Sequence, residues 1–215
     1  PAWPEKNSKK FLFNNQMADN IIWTTVSGGL IWTAYEVFYM WLAANGRMPL
    51  LTWAENPVWF VAWLVIIPMF RNAHFYFVHK LIHWRFLYKR VHKVHHRNTN
   101  PGPWSGMSMH PVEHLIYFSN LFIHFIVPSH PIHFFMDSFH TALTPAGGHI
   151  GFEGPFMKGL YPVGDYFHYL HHKHVSSNFG TPMVPFDKLL GRFYDGEGNY
   201  PYRFNSKGKV IKNEG

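Results

Sequence analysis

Apolar residues in this chain gather in long blocks with short polar breaks between them, and the block lengths predict the elements. The first block, IIWTTVSGGLIWTAYEVFYMWLAA from Ile21 to Ala44, is long enough to cross a hydrocarbon core, which takes about 20 residues of helix. Gly28 and Gly29 would let another helix approach closely. Glu36, the one charge in the block, is either a functional group or a partner for a neighbouring helix. Asn45 to Asn56, with Gly46 and Pro49, reads as a loop on the far side of the membrane. Pro57 then suits the first residue of a second span, about Val58 to His79, kinked or interrupted at Pro68.

After a Pro/Gly-rich break at Arg97 to Met109, two shorter apolar runs follow, HLIYFSNLFIHFIV and IHFFMDSFHTAL, separated by PSHP. Each is about 13 residues, near 20 Å as helix against a core of about 30 Å. They predict a re-entrant hairpin at about Val112 to Leu143 rather than two more spans. The expected fold is all-α: an integral membrane helical protein with a His-rich helical cap on the cytoplasmic side. It forms a single domain over residues 1–215, with an arm (1–19), membrane helices and a first His cluster (20–146), a second His cluster (147–191) and a tail (192–215). From Arg192 the tail is polar and expected to be partly disordered.

Composition supports a membrane protein. Charged residues are only 14%, against roughly 25% in soluble domains, while 47% of residues are hydrophobic. The net charge of +7 comes from basic residues in the arm (Lys6, Lys9, Lys10), beside the His motifs (Lys80, Arg85, Lys89, Arg90, Lys93) and in the tail. Basic residues flanking apolar blocks mark the cytoplasmic, anionic-lipid side, and no nucleic-acid motif accompanies them, so nucleic acid is not an expected partner. Having no Cys, the chain has no thiolate ligand and no iron–sulfur cluster, so electrons for any redox chemistry must come from another protein. The chain opens on Pro1 without a secretory-signal pattern, which fits a fragment or a chain with further helices upstream.

The chemistry is concentrated in histidine. HKLIHWRFLYKRVHKVHH places His79 and His83 at H-x3-H, and His92, His95 and His96 at H-x2-H-H. A second H-x2-H-H follows at His168, His171 and His172. Imidazoles at i and i+4 share a helical face, and a residue at i+3 lies beside them, so ring nitrogens from two turns converge. Two triads and a pair exceed what one four- to six-coordinate ion accepts, which predicts a dinuclear site. Spacing alone does not identify the metal, because imidazole suits iron, zinc and copper. Asp165 is placed to cap the helix that carries the second triad.

These motifs, together with FYFVHKLIH, VHKVHHRN, SMHPVEH, GHIGFE, NFG and FDKLLGRF in this order, resemble the fatty acid hydroxylase superfamily, particularly its sterol-desaturase-like branch. The resemblance runs from about Asn72 to Gly191. It implies a membrane-bound non-haem diiron oxidoreductase that uses O2 and external electrons to hydroxylate or desaturate a lipid C–H bond, the lipid being a sterol, a fatty acyl chain or a relative of these. It also adds His149, in GHIGFE, to the ligand set His79, His83, His92, His95, His96, His168, His171 and His172. Asn72 stands where relatives often carry Asp, so a supporting carboxylate is missing there.

Glu153 follows His149 at i+4, where other branches carry a second His; it is either a further metal ligand or a turn residue beside Gly151 and Gly154. His110 and His114 are either supports of the site or plain structural residues. His74, His124, His130, His133, His140 and His174 are expected to be structural or on the surface. Trp104, Phe118 and Phe122 are candidates to line a lipid channel. Three rival classes share parts of this pattern: a membrane zinc hydrolase with one ion and a general-base Glu, a bis-His haem electron carrier, and a non-catalytic metal- or lipid-binding protein.

Overall fold

Asn15 starts the first helix by accepting hydrogen bonds from the backbone N–H groups of Met17 and Ala18 at 3.0 and 3.1 Å. The computed structural model describes residues 5–150, 155–156, 161–162, 165–181, 183–204 and 210–212. Helix α1 (Gln16–Ile22) passes through a π-helical segment, Trp23–Gly28, into α2 (Gly29–Ala44), with right-handed helical dihedrals at both junctions. The helix therefore begins five residues before the apolar block. Those residues are tied to the rest of the fold: Gln16 donates to the Asn98 side chain at 3.0 Å and to the Asn100 carbonyl at 2.8 Å, and buried Asp19 pairs with Arg97.

Helix α3 (Pro57–Ile82) starts at Pro57, with Asn56 capping the Trp59 N–H, and runs through Pro68 without interruption. Asn72 donates to the Pro68 carbonyl at 2.7 Å. Among the described residues, α3 is the one helix long and apolar enough to cross a membrane. Val58, Val61, Val65, Met69, Phe77 and Leu81 face outward from it, while Arg71, Asn72 and His79 are buried. Apolar outside and polar inside is the arrangement a bilayer rewards.

The hairpin is deeper than its apolar runs suggested. Its first leg is α6 (Pro111–Tyr117) extended by a 3-10 helix, Phe118–Phe125, and its second is α7 (Pro131–Gly147). A 3-10 helix rises about 2.0 Å per residue instead of 1.5 Å, so the first leg reaches about 26 Å. The tip then meets the loop between α2 and α3: Ser129 N–H donates to the Pro49 carbonyl, and Leu51 N–H to the Ser129 carbonyl. The core lies between α2 and this hairpin, where Tyr39 and Phe134 stack with centroids 3.7 Å apart.

Two expectations about helix packing resolve here. A Cβ on Gly28 would sit 3.1 Å from His114 Nε2, so this glycine does permit close approach, whereas among the described residues nothing lies within 4 Å of a Cβ at Gly29. Glu36 accepts from Trp32 Nε1 at 2.7 Å and from Ser138 Oγ at 2.8 Å, pairing α2 with α7. Beyond α7 come α8 (Asp165–His174) and α9 (Phe186–Leu189). The side chain of Asp165 lies outside the described residues. Two small antiparallel pairs, β1 (Pro155–Phe156) with β2 (Tyr161–Pro162) and β3 (Tyr202–Phe204) with β4 (Val210–Lys212), add a little strand to the expected all-α fold. In the described part of the tail, Tyr200 stacks on His174 with centroids 4.0 Å apart and Tyr202 donates to the Gly191 carbonyl at 2.9 Å.

Candidate metal centre

The first His stretch is not one helix. His79 closes the last turn of α3 and His83 is its C-cap, after which Trp84 takes an extended ψ of 132° and the chain turns. It resumes through α4 (Arg85–Leu87), a π-helical turn Tyr88–His92 and α5 (Lys93–His96). The turn folds His92, His95 and His96 back over His79 and His83. From the other side α8 presents His168, His171 and His172.

All nine histidines named from the sequence come together in two groups, His79, His83, His92, His96 and His171 in one, and His95, His149, His168 and His172 in the other. Each triad divides two and one. His92 and His96, at i and i+4, face the first group while His95 turns to the second. His168 and His172 face the second group while His171 reaches across to the first.

Within each group the nitrogens converge. His83 Nε2 lies 3.0 Å from His92 Nε2, 3.1 Å from His171 Nε2 and 3.3 Å from His96 Nε2. His172 Nε2 lies 3.1 Å from Nε2 of each of His95, His149 and His168. A single proton on the central ring satisfies one of three such contacts, so the others bring lone pair against lone pair unless a cation sits among them. The outer nitrogens support this. Nδ1–H of His79, His149 and His171 donates to the carbonyls of Phe179, Pro145 and Ser177 at 2.6, 2.6 and 2.7 Å, and that of His92 to Glu113 Oε1 at 2.7 Å. An imidazole tied at Nδ1 presents the Nε2 lone pair inward, the tautomer a metal requires.

Burial first, and neighbouring imidazoles second, hold His83, His92, His95, His96, His168 and His172 well below the ordinary value of 6.5. Burial lowers His149 to about 4. The rings are therefore neutral at pH 7, the form that ligates. The residues present fit two cations held by imidazole.

The later motifs hold the carbonyls that hold the rings. Asn178, at a φ of 56°, donates to the Tyr194 carbonyl at 2.8 Å and accepts from Tyr194 N–H at 2.9 Å. Asp187 accepts from Phe179 N–H at 2.9 Å and Gly180 N–H at 2.7 Å. NFG and FDKLLGRF thus fix the loop whose Ser177 and Phe179 carbonyls orient His171 and His79.

Glu113 was not singled out from the sequence, although it lies within SMHPVEH. Its neighbours in that motif serve the fold instead: His110 caps α6, and His114 Nδ1 contacts Ser27 Oγ at 2.9 Å while its Nε2 contacts the Met107 carbonyl at 3.1 Å. Glu153 lies outside the described residues.

A cavity of about 520 Å³ opens against both groups, bounded by His79 and His92 from one and His95, His149 and His168 from the other. Its apolar wall includes Phe75, Val78, Ile82, Met109 and Phe167. Trp104, Phe118 and Phe122 do not line it: Phe118 is fully buried in the core, and Trp104 and Phe122 are exposed at the outer surface. His140, expected to be structural, does line it, as do Arg71 and Tyr117. His74, His124 and His133 instead bond Ser119 Oγ, Ser129 Oγ and the Phe60 carbonyl. His130 caps α7.

The fatty acid hydroxylase family model matches residues 63–192, the stretch that carries most of α3, the hairpin and both His groups. The chain belongs to the fatty acid hydroxylase family. Similar proteins with sterol names extend the likeness: methylsterol monooxygenase 1 of Gallus gallus is 29% identical over 146 residues, 65% of this chain and 49% of that protein. Methylsterol monooxygenase 1 of Danio rerio is 33% identical over 119 residues, 54% of this chain and 41% of that protein. Lathosterol oxidase of Homo sapiens is 26% identical over 160 residues, 67% of this chain and 54% of that protein. The chain thus spans about half the length of these family relatives. No solved structure matches it.

Proposed function

We propose that this chain is a membrane-bound lipid hydroxylase or desaturase with two iron ions, one in each His group, using O2 and electrons from a separate redox protein. The observation that carries the reading is the pair of inward-facing Nε2 clusters beside an apolar cavity. Family membership and the sterol-modifying relatives support lipid oxidation as the chemistry. His79, His83, His92, His96 and His171 would hold one ion, and His95, His149, His168 and His172 the other, with Glu153 an added ligand or buttress near His149. The iron pair, when bound, supplies the O2 activation that oxidises an unactivated C–H bond.

The protein's own part is positional. Glu113 keeps His92 turned inward, and the Phe179, Ser177 and Pro145 carbonyls do the same for His79, His171 and His149. Phe75, Val78, Ile82 and Met109 exclude water and present a hydrocarbon carbon to the inward Nε2 face. In this reading the whole chain serves as one domain, with the metal site on the cytoplasmic face, the side that basic residues such as those of the arm and the His-rich cap favour. Lipid mass spectrometry of cells expressing the full-length gene, beside a His95→Ala control, tests the reading. A lipid gaining oxygen or losing two hydrogens only with the intact protein is expected. Identical lipid profiles, with both metals bound and a reductant present, would sink it.

A further inference from the structure

We infer that the cavity has a second pole, built by Arg71 and His140, that takes the carboxylate head of an acid-terminated lipid and so sets which carbon is oxidised. Arg71 sits in α3 with only 5% of its surface exposed. Its guanidinium donates to the Tyr117 hydroxyl, which donates in turn to the Thr141 carbonyl at 2.8 Å. Among the described residues no carboxylate lies within 4 Å of it. The buried acids nearby do not reach it: Asp137 accepts from Asn120 at 2.8 Å through one oxygen with the other 3.4 Å from His124, and Glu113, which lines the same cavity, accepts from His92 through Oε1. The Phe75 and Tyr117 rings lie 5.3 and 5.6 Å from the guanidinium carbon, a contact far weaker than the cost of burying a cation.

A second observation points the same way. His140 lines the same cavity, and its buried Nδ1 has no hydrogen-bond partner among the described residues. A cation with no carboxylate partner and a ring nitrogen with no partner, both judged among the described residues, call from one cavity wall for an anionic group with two acceptor oxygens. One cation balances one negative charge, which suits a carboxylate better than a phosphate monoester carrying about −1.5 to −2.

The pole is set apart from the His groups. Arg71, Phe75, Val78, His79 and Ile82 recur on one face of α3, and eight residues place Arg71 about 12 Å from His79 along the axis. The Phe75 ring stands between, its centroid 4.9 Å from that of His79. A chain held by its head at Arg71 must run past Phe75 before it meets the metal ligands. Oxidation then falls on a carbon remote from the head, not on the one beside it.

The inference rests on the proposed lipid oxidation only for what happens at the far end; head binding is measured without it. Metal-free full-length protein in detergent is titrated with hexadecanoic acid, 1-hexadecanol and hexadecyl phosphate. The acid is expected to bind about tenfold tighter than the alcohol, the value of one charge-assisted contact. Arg71→Gln and His140→Phe should each shrink that preference, with Arg71→Lys intermediate, and Tyr117→Phe should keep it. Equal binding of acid and alcohol, or strongest binding of the phosphate, overturns the carboxylate assignment. So does a Tyr117→Phe protein that loses the preference as fully as Arg71→Gln, because Arg71 would then act through the fold. If metal-loaded protein oxidises none of these while the acid preference persists, the oxidation reading fails and the head site stands.

Discussion

His96 and His171 bring their Nε2 atoms to 3.1 Å of each other across seventy-five residues of chain. His95, next to His96 in sequence, stands instead 3.1 Å from His172 in the other group. Adjacent histidines therefore belong to different groups, and single substitutions should separate them.

His96→Ala is expected to lower metal content from about two ions per chain to about one by emptying the five-His group, and His95→Ala to do the same for the four-His group. The double variant should hold none. Oxidation should fall to background in all three, with membrane insertion unchanged, because neither residue lies in a spanning helix. Metal quantification with a chelator series checks this. Loss of both ions from either single variant would mean one shared site instead of two.

Glu113 is buried, and its Oε1 receives the Nδ1–H of His92 at 2.7 Å. Outer partners of this kind contribute about 10- to 100-fold in metal affinity or activity. Burial pushes the Glu113 carboxyl well above its ordinary range. Glu113→Gln keeps an acceptor but removes the carboxyl, so metal affinity should drop within that range while His95 and its neighbours retain their ion. Competition with a calibrated chelator reads the difference, and unchanged affinity would leave Glu113 a packing residue.

How much of this was legible in the sequence depended on how local each feature is. The i, i+4 pairing of His79 with His83, of His92 with His96 and of His168 with His172 follows from helix geometry, and these residues do share a place. His149 was reached only through the family likeness. The two-and-one division of the triads was not readable, because it depends on how α5 and α8 cross. Glu113 and Asp187 are not singled out by the sequence, because only tertiary structure gives them His92 and the Phe179 and Gly180 amides. The cavity wall was misassigned to Trp104, Phe118 and Phe122 for the same reason: an aromatic run shows apolar character but not direction. The depth of the hairpin was underestimated because a 3-10 leg is longer per residue than an α-helix.

Topology gives a prediction with a clean readout, since the chain has no Cys of its own. Lys9 and Lys93 are expected on the cytoplasmic side and Glu55, in the α2–α3 loop, on the other. Single Cys variants at these positions in sealed vesicles should label accordingly. Lys9 and Lys93 reacting from opposite sides would refute the arrangement.

Glu153 follows His149 by four residues, and a carboxylate would reduce the positive charge of an otherwise all-imidazole second site. Glu153→Ala should lose the metal of the four-His group and Glu153→His should restore it. Full metal content and turnover in the Ala variant would make Glu153 a turn residue.

Asp187 tests whether the loop after α8 orients ligands or merely follows them. It is buried, and its two oxygens take the Phe179 and Gly180 amides at 2.9 and 2.7 Å. The Phe179 carbonyl on the same residue receives His79 Nδ1–H at 2.6 Å. Asp187→Ala leaves both amides without an acceptor, at about 1–3 kcal/mol for each buried group, so thermal stability should fall clearly. The loop should also release His79, and the five-His group should bind metal less tightly than in a variant destabilised equally elsewhere, such as Phe134→Leu in the core. If the two variants lose stability to the same extent and retain the same metal affinity, Asp187 serves the fold alone and the carbonyl of Phe179 does not steer His79.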